Sequence, residues 1–319
     1  MTTDAGRGGI SIIIRSLNEE RHIEKLFRGI REQTVRDVEI ILVDSGSTDN
    51  TLEIAGRYPV RIVQIRPEDF TFGYSLNRGC EVATGEFIVI ASAHVYPVYQ
   101  DWLELLTGKL ADETVGLVYG KQRGNESTRY SERQVFRKWF PEDADYNQQH
   151  TFCNNANAAI RRKQWQDCPY DEKLTGLEDI AWAENVHAGG MKIVYEPRAE
   201  VIHLHDETYE RIFIRYKREA IAMKAIHKHQ RFSLLDFMVL CAGNILSDWF
   251  HALEEKCMAR EWSNIIRFRA SQFWGTYRGY NQADDISGEL RRKFYYPKSY
   301  SFTDRPGREE NDRASAIKY

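Results

Sequence analysis

Short, uninterrupted apolar runs alternate with amphipathic stretches along the first part of the chain. Ile10 to Arg15, Val38 to Val43 and Glu86 to Ala91 are runs rich in β-branched residues. Runs of this length without polar alternation are typical of strands that are buried on both faces of a parallel sheet. The stretches between them have helical spacing, so the pattern predicts βαβ units with right-handed crossovers.

The same periodicities predict the other elements of this part of the chain. Strands are predicted at 10–15, 38–43, 60–65, 86–91, 115–119, 158–161 and 192–195, and helices at 19–33, 50–57, 76–83, 102–110 and 179–188. The segment from Asn125 to Gln149 is polar and aromatic without a clean period, so we predict a mobile loop there. The pattern therefore predicts an α/β fold over residues 1–206.

Beyond residue 206 the pattern changes to long helices, predicted at 207–229, 234–260 and 265–280. We expect a helical extension at 207–298 and a polar, disordered tail at 299–319. A broad apolar face runs from Phe232 to Phe250. We expect it to pack in the core or to join two copies as a homodimer. Because basic residues lie nearby, contact with an anionic membrane surface is the alternative.

Composition narrows the class of protein. A formal net charge of −3 and a pI near 6.3 argue against a nucleic-acid partner. The five cysteines include no CxxC pair, which indicates free thiols in a reducing compartment. The first residues lack the apolar core of a signal peptide, and the longest uncharged apolar run, 237–247, is shorter than a membrane span. We therefore expect a cytoplasmic protein, or one lying on the inner face of the plasma membrane.

Two polar clusters follow the first two predicted strands. Arg15 to Glu20 comes directly after the first strand, and Asp44 to Asp49 after the second. Ligands of open α/β sheets bind at the carboxyl ends of the strands, where a carboxylate can accept hydrogen bonds from a base or a ribose. An ordinary turn and helix cap would use the same residue types. Two such clusters at adjacent strand ends favour a nucleotide site.

A series of motifs in a fixed order resembles family 2 glycosyltransferases of the GT-A fold. The motifs are ISIIIRSLNEE from Ile10, VEIILVDSGSTDNT from Val38, FGYSLNRG from Phe72, ATGE from Ala83, NANAAIRR from Asn155, and Glu178-Asp179. The resemblance covers about the first 205 residues. It implies a Rossmann-like, mixed, mostly parallel sheet flanked by helices, and an inverting transfer of sugar from a nucleotide-sugar donor.

The resemblance also implies roles for individual residues. Asp44 would contact the base, with Ser16, Asn18 and Glu19 near the nucleotide. The full set expected in donor or acceptor binding is Arg15, Ser16, Asn18, Glu19, Asp44, Ser45, Gly46, Asn77, Arg78, Ser92, Ala93, Asn155, Asn157, Glu178 and Trp182.

Asp179 is the expected catalytic base. An inverting transfer needs one group that removes the proton of the acceptor hydroxyl. By resemblance Asp179 has this role, and Glu178 helps to bind donor or acceptor. Acidic residues are also common at helix N-termini for electrostatic reasons alone. Trp182 lies three residues beyond Asp179 on the same helix face, where it would stack on a sugar or pack in the core.

The chain departs from the family pattern where the fourth strand ends. Ser92-Ala93-His94 stands where the family has an Asp-x-Asp that holds a divalent cation against the donor diphosphate. We expect Mn²⁺ or Mg²⁺ as cofactor, and imidazole suits Mn²⁺ or Zn²⁺ better than Mg²⁺. His94 is the first expected ligand. His203 and His205 follow the strand-like segment 199–202, and His203 is the preferred second ligand. Structural histidines, or histidines that contact phosphate directly, are the alternatives.

The leading hypothesis is thus a transferase of bacterial surface polysaccharide or glycolipid synthesis, with a saccharide or a lipid-linked acceptor. A non-catalytic nucleotide- or sugar-binding homologue is one alternative, although Glu178-Asp179 argues against it. A sugar-phosphate nucleotidyltransferase is another, but Arg15 to Glu20 contains no glycine for a phosphate loop.

Overall fold

The computed structural model describes residues 9–282 and 315–319, and its centre is an eight-stranded sheet of order β3-β2-β1-β4-β7-β6-β8-β5. The strands are β1 (Ile10–Ser16), β2 (Val38–Asp44), β3 (Val60–Gln64), β4 (Phe87–Ser92), β5 (Val95–Pro97), β6 (Val115–Arg123), β7 (Asn157–Arg161) and β8 (Lys192–His203). β3, β2, β1 and β4 are parallel neighbours, as are β6 and β8, whereas β7 and β5 run antiparallel to their partners. The sheet is mixed and mostly parallel, as predicted.

Helices flank the sheet and continue beyond it. They are α1 (Ile23–Arg31), α2 (Thr51–Ala55), α3 (Phe72–Val82), α4 (Trp102–Gly108), α5 (Tyr130–Trp139), α6 (Arg162–Asp167), α7 (Glu178–Ala188), α8 (Tyr209–Ile226), α9 (Leu234–Glu254) and α10 (Met258–Tyr280). Short 3-10 turns occupy Pro67–Asp69 and Lys109–Ala111. Within the described residues, no helix has both the length and the apolar character needed to cross a bilayer.

The apolar strands are buried on both faces, which explains their lack of polar alternation. Ile12 and Ile14 of β1 pack in the layer that contains residues of α1 and α4. Ile13, between them, points to the opposite layer, which contains residues of α3 and α7. All three isoleucines are fully buried. The core therefore has two layers, one on each face of the sheet, and the carboxyl edge of the parallel strands is left for polar loops.

The prediction of a mobile loop at 125–149 is wrong for its central part, where α5 forms. Tyr130, Glu132 and Phe136 form part of the buried side of this helix. An acidic residue at a buried position breaks the apolar period on which the sequence reading depends. Glu132 is buried because it has partners on other elements, His205 and Arg215, which local sequence does not reveal.

The helical extension forms as predicted, but much of its apolar face does not pack in the core. α8 and α10 pack against each other, and the buried ion pair of Asp248 with Arg269 joins α9 to α10 at 2.8 Å. In contrast, Leu235 and Val239 of α9 are 63% and 60% exposed. The expectation of core packing is therefore wrong for this face of α9.

The end of the chain is not wholly a disordered tail. Residues 315–319 lie against the edge of the sheet, where the Ile317 N–H donates to the Val98 carbonyl at 2.9 Å. The Tyr319 hydroxyl donates to the Pro97 carbonyl at 2.6 Å. Ile317 is buried, and its apolar contact helps to hold residues 315–319 against the protein. The polar composition of the tail had predicted that these residues are exposed to solvent. Residues 283–314 of the predicted extension and tail lie outside the described residues.

Candidate active site and metal centre

The loops that follow β1 and β2 are joined side by side at the carboxyl edge of the sheet. Ser16 Oγ donates to Asp44 Oδ1 at 3.1 Å, where the two parallel strands end in register. One step further, Asn18 Oδ1 accepts from the Thr48 N–H at 2.8 Å. The Glu19 N–H then donates to Thr51 Oγ1 at 2.7 Å. The two polar clusters therefore meet, as their positions at neighbouring strand ends predicted.

Asp44 holds the second loop rather than facing open space. Its side chain is buried, and Oδ2 accepts from the N–H groups of Gly46 and Ser47 at 3.0 Å each. Oδ1 accepts from the hydroxyls of Ser16 and Ser47. Ser45 is buried beside it and donates its N–H to the Ser16 carbonyl. Both carboxylate oxygens thus have protein partners, and contact of Asp44 with a base stays a prediction.

A cavity of about 410 Å³ opens beside the two loops. Polar and charged side chains dominate its wall, which comes from the loops after β1, β2, β4 and β8 and from the start of α8. The lining residues are Leu17, Asn18, Glu19, Glu20, Arg21, His22, Thr48, Asp49, His94, Leu204, His205, Asp206, Glu207 and Arg211. Because several of them are carboxylates, a diphosphate in this cavity would require a neutralising cation.

Asp179 is the second residue of α7 and is almost completely buried. Burial raises the pKa of its carboxyl to about 7, and the charge of Glu178 adds to the rise, against the opposing hydrogen bonds from backbone N–H groups. Oδ2 accepts from the Asn155 N–H at 3.1 Å, and Oδ1 from the Ile180 N–H at 2.9 Å. A carboxyl with a pKa near neutrality, held in a fixed orientation, is suited to accept a proton.

Glu178 and Arg15 connect α7 to the end of β1. Arg15 Nη1 lies 3.1 Å from Glu178 Oε1, and both side chains are largely buried. The Phe72 ring has the guanidinium groups of Arg15 and Arg218 at 4.7 and 4.6 Å from its centroid. Leu177, directly before α7, has a left-handed backbone with φ 56°, a conformation that costs a β-carbon-bearing residue about 1 kcal/mol or more. Such strain is tolerated where the neighbouring contacts fix the chain.

Three histidines gather where β4 and β8 end. The ligand nitrogens of His94, His203 and His205 lie within 4.8 Å of one another. In each ring Nδ1 contacts an oxygen acceptor: Glu19 Oε1 at 2.8 Å for His94, Gln122 Oε1 at 2.6 Å for His203, and Glu132 Oε1 at 2.8 Å for His205. When Nδ1 of each ring donates a hydrogen bond to its oxygen, the Nε2 lone pair is the ring's candidate metal ligand.

The residues of this cluster fit a metal ion. His203 Nε2 is buried and has no hydrogen-bond partner within the part of the chain that the structure describes, although a buried polar atom is normally satisfied. Burial, together with the nearby His205, His94 and Arg215, lowers the pKa of His203 well below its usual range, so the ring is neutral. A neutral imidazole with a free ring nitrogen is the form that binds a cation.

The histidine cluster and Asp179 are linked through β4 and the start of β7. The Ser92 N–H donates to the Ala156 carbonyl at 3.4 Å, and Ala93 is buried behind it. The neighbouring Asn155 donates its N–H to Asp179, and among the described residues its buried Oδ1 has no hydrogen-bond partner. Ser92, Ala93 and Asn155 thus lie along the contacts that connect His94 with Asp179, and their role in donor or acceptor binding stays a prediction.

Three residues that the sequence reading assigned to donor or acceptor binding lie in the core instead. Asn157 is fully buried and bonds to Trp102, Lys121 and Ala199. Asn77 bonds to Trp165, Tyr170 and Glu172. Trp182 is buried against Tyr170 and donates Nε1 to the Cys168 carbonyl. Their polar atoms already have protein partners, so we no longer assign them to ligand binding.

Arg78, also predicted to bind donor or acceptor, lies at a different place from the histidines. It forms ion pairs with Glu81 and Glu172 on α3 and the loop before α7. Its guanidinium also stacks over the Tyr74 ring at 5.1 Å. These contacts indicate that Arg78 is a surface residue that stabilises the position of α3.

The sequence reading preferred His203 over His205 and did not use Glu132 or Gln122. All three belong to the cluster: His205 is its third histidine, Glu132 contacts Nδ1 of His205, and Gln122 contacts Nδ1 of His203. The alternation His203-Leu204-His205 at a strand end was the one available signal for His205. Glu132 gave no signal, since its segment was read as a loop.

The sequence is similar to a known family and to several of its members. Residues 11–167 match the sequence model of the family described as Glycosyl transferase family 2. The O-antigen chain rhamnosyltransferase WbaN of Salmonella anatum is 26% identical over 209 residues, which are 60% of this chain and 64% of that protein. A PGL/p-HBAD biosynthesis glycosyltransferase of Mycobacterium bovis is 34% identical over 115 residues, 34% of this chain and 45% of that protein. The chain thus spans less than two thirds of the length of both relatives.

Solved structures share the fold. The mannosyltransferase PcManGT from Pyrobaculum calidifontis, in complex with GDP-Man and Mn²⁺, superposes with a TM-score of 0.58 at 18% identity, over 92% of this chain and 89% of that one. Glucosyl-3-phosphoglycerate synthase from Mycobacterium tuberculosis, in complex with Mn²⁺, UDP and phosphoglyceric acid, gives 0.51 at 21% identity, over 70% and 79%. The predicted GT-A fold with carboxyl-terminal helices is confirmed.

Proposed function

Because this chain belongs to glycosyl transferase family 2, we propose that it transfers a sugar from a nucleoside-diphosphate donor to an acceptor hydroxyl with inversion at the anomeric carbon. The observation that carries the proposal is Asp179, a buried carboxyl with a pKa near 7 at the start of α7. Hydrogen bonds of Asn155 and Ala156 connect it to Ser92, two residues before His94 of the histidine cluster. The relative named as an O-antigen chain rhamnosyltransferase supports an acceptor in polysaccharide synthesis.

Asp179 is the proposed base. As the acceptor oxygen attacks the anomeric carbon, Asp179 takes the hydroxyl proton, and the bond from that carbon to the diphosphate oxygen breaks. The N–H groups of Asn155 and Ile180 fix both carboxylate oxygens, so the base does not have to reorient. Attack from the side opposite to the leaving group inverts the anomeric carbon.

The histidine cluster lies beside the cavity in which we place the nucleotide, since His94 and His205 line its wall. His94, His203 and His205 would hold a divalent metal there, and Mn²⁺ in the structures of similar fold is consistent with this. The bound ion would neutralise the charge that develops on the diphosphate leaving group. Arg211, at the start of α8 in the same wall, brings a further positive charge toward it.

The proposal is tested by measuring nucleoside diphosphate release from a panel of UDP-, GDP- and dTDP-sugars. We expect release from at least one donor, its loss in EDTA and its recovery with added divalent metal. Asp179→Asn should slow release by roughly 10² to 10⁴-fold. Asp167→Asn, an exposed carboxylate at the end of α6, is the matched control and should keep the wild-type rate.

The outcomes separate the alternatives. Failure with every donor would favour a nucleotide-binding homologue without activity. Turnover of Asp179→Asn at the wild-type rate would remove the base assignment. Full activity in EDTA would remove the metal. The anomeric configuration of the product, read by NMR, tests inversion directly.

A further inference from the structure

The ligand set of the metal site differs in chemistry from a carboxylate site. The sequence Ser92-Ala93-His94 supplies no carboxylate at the end of β4, and the other two ligands are His203 and His205. Mg²⁺ prefers oxygen ligands in octahedral geometry and retains its water, whereas imidazole nitrogen favours ions of the zinc class. Three histidines with further positions open to a substrate is a common arrangement for catalytic zinc.

We infer that His94, His203 and His205 form a site for a zinc-class ion, with Zn²⁺ and Co²⁺ bound more tightly than Mn²⁺, and that Mg²⁺ does not fill it. The role of the ion in catalysis rests on the proposed function, whereas the metal preference of the site does not. This order of metal affinity is the one that nitrogen ligands show for divalent ions of the first transition row.

Glu132 is the positioning residue for the third ligand. Its Oε1 accepts from His205 Nδ1 and from Arg215 Nη2, each at 2.8 Å, and the side chain is only 3% exposed. Arg215 comes from α8 and also contacts Glu207. The helical extension therefore reaches the metal site through one carboxylate, which fixes the His205 ring and makes its free nitrogen more basic.

Metal binding is measured on the full-length, metal-free protein without any donor, by competition dialysis and by the visible spectrum of Co²⁺. We expect one equivalent of Zn²⁺ or Co²⁺, no displacement by millimolar Mg²⁺, and a Co²⁺ spectrum free of thiolate charge-transfer bands. His94→Ala and His205→Ala should each weaken Zn²⁺ binding at least 100-fold. Glu132→Gln should weaken it by roughly 10- to 100-fold.

His187→Ala, which removes an exposed histidine at the end of α7, is the matched control and should bind Zn²⁺ like the wild type. Mg²⁺ binding tighter than Zn²⁺, or Zn²⁺ binding as strong in His205→Ala as in His187→Ala, would overturn the inference. His94 is partly exposed, so its alanine variant tests the site even where a variant of buried His203 fails to fold. Since no donor is present, a failure of sugar transfer does not affect this result.

A second, independent feature is the uncovered apolar face of α9. This helix has 21 residues, a length of about 31 Å, and its residues 237–247 carry no charge. Its exposed large apolar side chains, with their exposed fractions, are Leu234 50%, Leu235 63%, Met238 51%, Val239 60%, Leu240 43%, Leu246 62%, Phe250 59% and Leu253 62%. An apolar patch of this size on a folded domain marks a binding surface.

Aromatic residues border the patch, and the extension that carries it is positively charged as a whole. Trp274 packs on Phe237 near the start of α9, and Trp262 contacts Trp249 near its end. Residues 207–282 carry twelve Lys and Arg and eight Asp and Glu, a net charge of +4, so the remainder of the chain carries −7. The Lys and Arg residues of the extension lie outside α9 itself. An exposed apolar helix with tryptophan at its borders, in an extension of net positive charge, has features of segments that lie in an anionic membrane surface.

We propose that α9 docks the protein on an anionic lipid bilayer. A second copy of the chain is a poorer occupant, because a twofold contact through this face would bring two positively charged extensions together. Docking through α9 would hold the transferase where a lipid-linked acceptor lies.

Co-sedimentation with vesicles tests the docking. The full-length protein should bind vesicles of phosphatidylcholine with phosphatidylglycerol, bind phosphatidylcholine alone much less, and be released by salt. Val239→Glu with Leu246→Glu should lower binding by about tenfold or more. Ile62→Glu changes an exposed apolar residue of β3 and should bind like the wild type. A dimer by light scattering that the α9 variant dissociates, without vesicle binding, would overturn the proposal, as would a monomer that binds no vesicles.

Discussion

Arg15 at the end of β1 and Glu178 at the start of α7 form an ion pair across 163 positions of sequence, with 3.1 Å between Nη1 and Oε1. Arg15 supplies the countercharge that a buried Glu178 needs. The Glu178 carboxylate, in turn, disfavours a second negative charge on its neighbour and helps to raise the pKa of Asp179. The pair thus links the first strand of the sheet to the proton affinity of the proposed base.

The rate of transfer should depend on pH through Asp179. Because the base acts when ionised, kcat/KM should rise with pH with a midpoint near 7, the pKa that burial and Glu178 give this carboxyl. Glu178→Gln removes the neighbouring charge and should move the midpoint to lower pH. Glu184→Gln is the control, because Glu184 lies on the same helix but is partly exposed and paired with His227. This variant should leave the midpoint of the pH profile unchanged. An identical midpoint in Glu178→Gln would contradict this coupling.

Asp179 should also make the fold less stable as pH rises. Its pKa in the folded state is about 7, above the ordinary 3.8, so the folded protein retains a proton that the unfolded chain releases. Stability from this group is complete below pH 3.8 and is lost as pH rises towards 7, on the order of 4 kcal/mol in all.

Urea unfolding of Asp179→Asn and wild type at pH 4 to 8 measures this loss. The free energy of unfolding of Asp179→Asn, relative to the wild type, should increase over that range and then level off. The inactive variant would then be the more stable protein at neutral pH, as expected where a strained active site has a cost in stability. A difference that stays constant with pH would refute the assigned pKa.

Gly46 should be needed for the loop that holds Asp44. Its φ is +95°, and an added Cβ would lie 2.8 Å from Pro67 Cγ. Gly46→Ala should therefore destabilise the protein by about 1–3 kcal/mol and raise KM for the donor. Gly108→Ala is the matched control, because this helical glycine has open space around it and should gain up to about 1 kcal/mol. Equal melting temperatures for the two variants would contradict the role of the turn.

The sequence predicts the part of the site that is built from strand ends. Ser16 and Asp44 follow continuous apolar runs, and parallel register alone brings their side chains together. Glu132 is different, because its burial depends on His205 and Arg215, which lie 73 and 83 positions away. No local period marks a carboxylate whose partners come from β8 and α8.

The same distinction applies to polar residues in motifs. Asn155 and Asn157 stand two positions apart in one motif, and the sequence reading gave both a ligand. The structure turns Asn155 towards Asp179 and Asn157 into the core. Alternation along a strand would place residues two positions apart on the same face, but only Asn157 belongs to β7, and Asn155 lies in the loop before it. Their different surroundings therefore depend on contacts with other elements, α7 for Asn155 and the strands β6 and β8 for Asn157. That information is tertiary, so the motif alone could not divide the pair.

Asn157 should matter for stability and not for donor binding. Oδ1 accepts from Trp102 Nε1 at 2.8 Å, and Nδ2 donates to the carbonyls of Ala199 at 2.8 Å and Lys121 at 3.1 Å. Asn157→Ala leaves these buried groups without partners and should lower the free energy of unfolding by about 3 kcal/mol or more. Asn185→Ala, at an exposed position of α7, is the control and should change it by less than about 0.5 kcal/mol.

The kinetic measurement decides between the two roles of Asn157. At a temperature where Asn157→Ala is still folded, KM for the donor should equal that of the wild type, because the side chain is fully buried and does not line the cavity. A raised KM for the donor with wild-type stability would instead indicate that Asn157 takes part in donor binding. A loss of stability with unchanged KM would mean that the two asparagines of this motif have different roles. Asn155 would then belong to the active site, and Asn157 to the junction of β4, β6 and β8 that supports the active site.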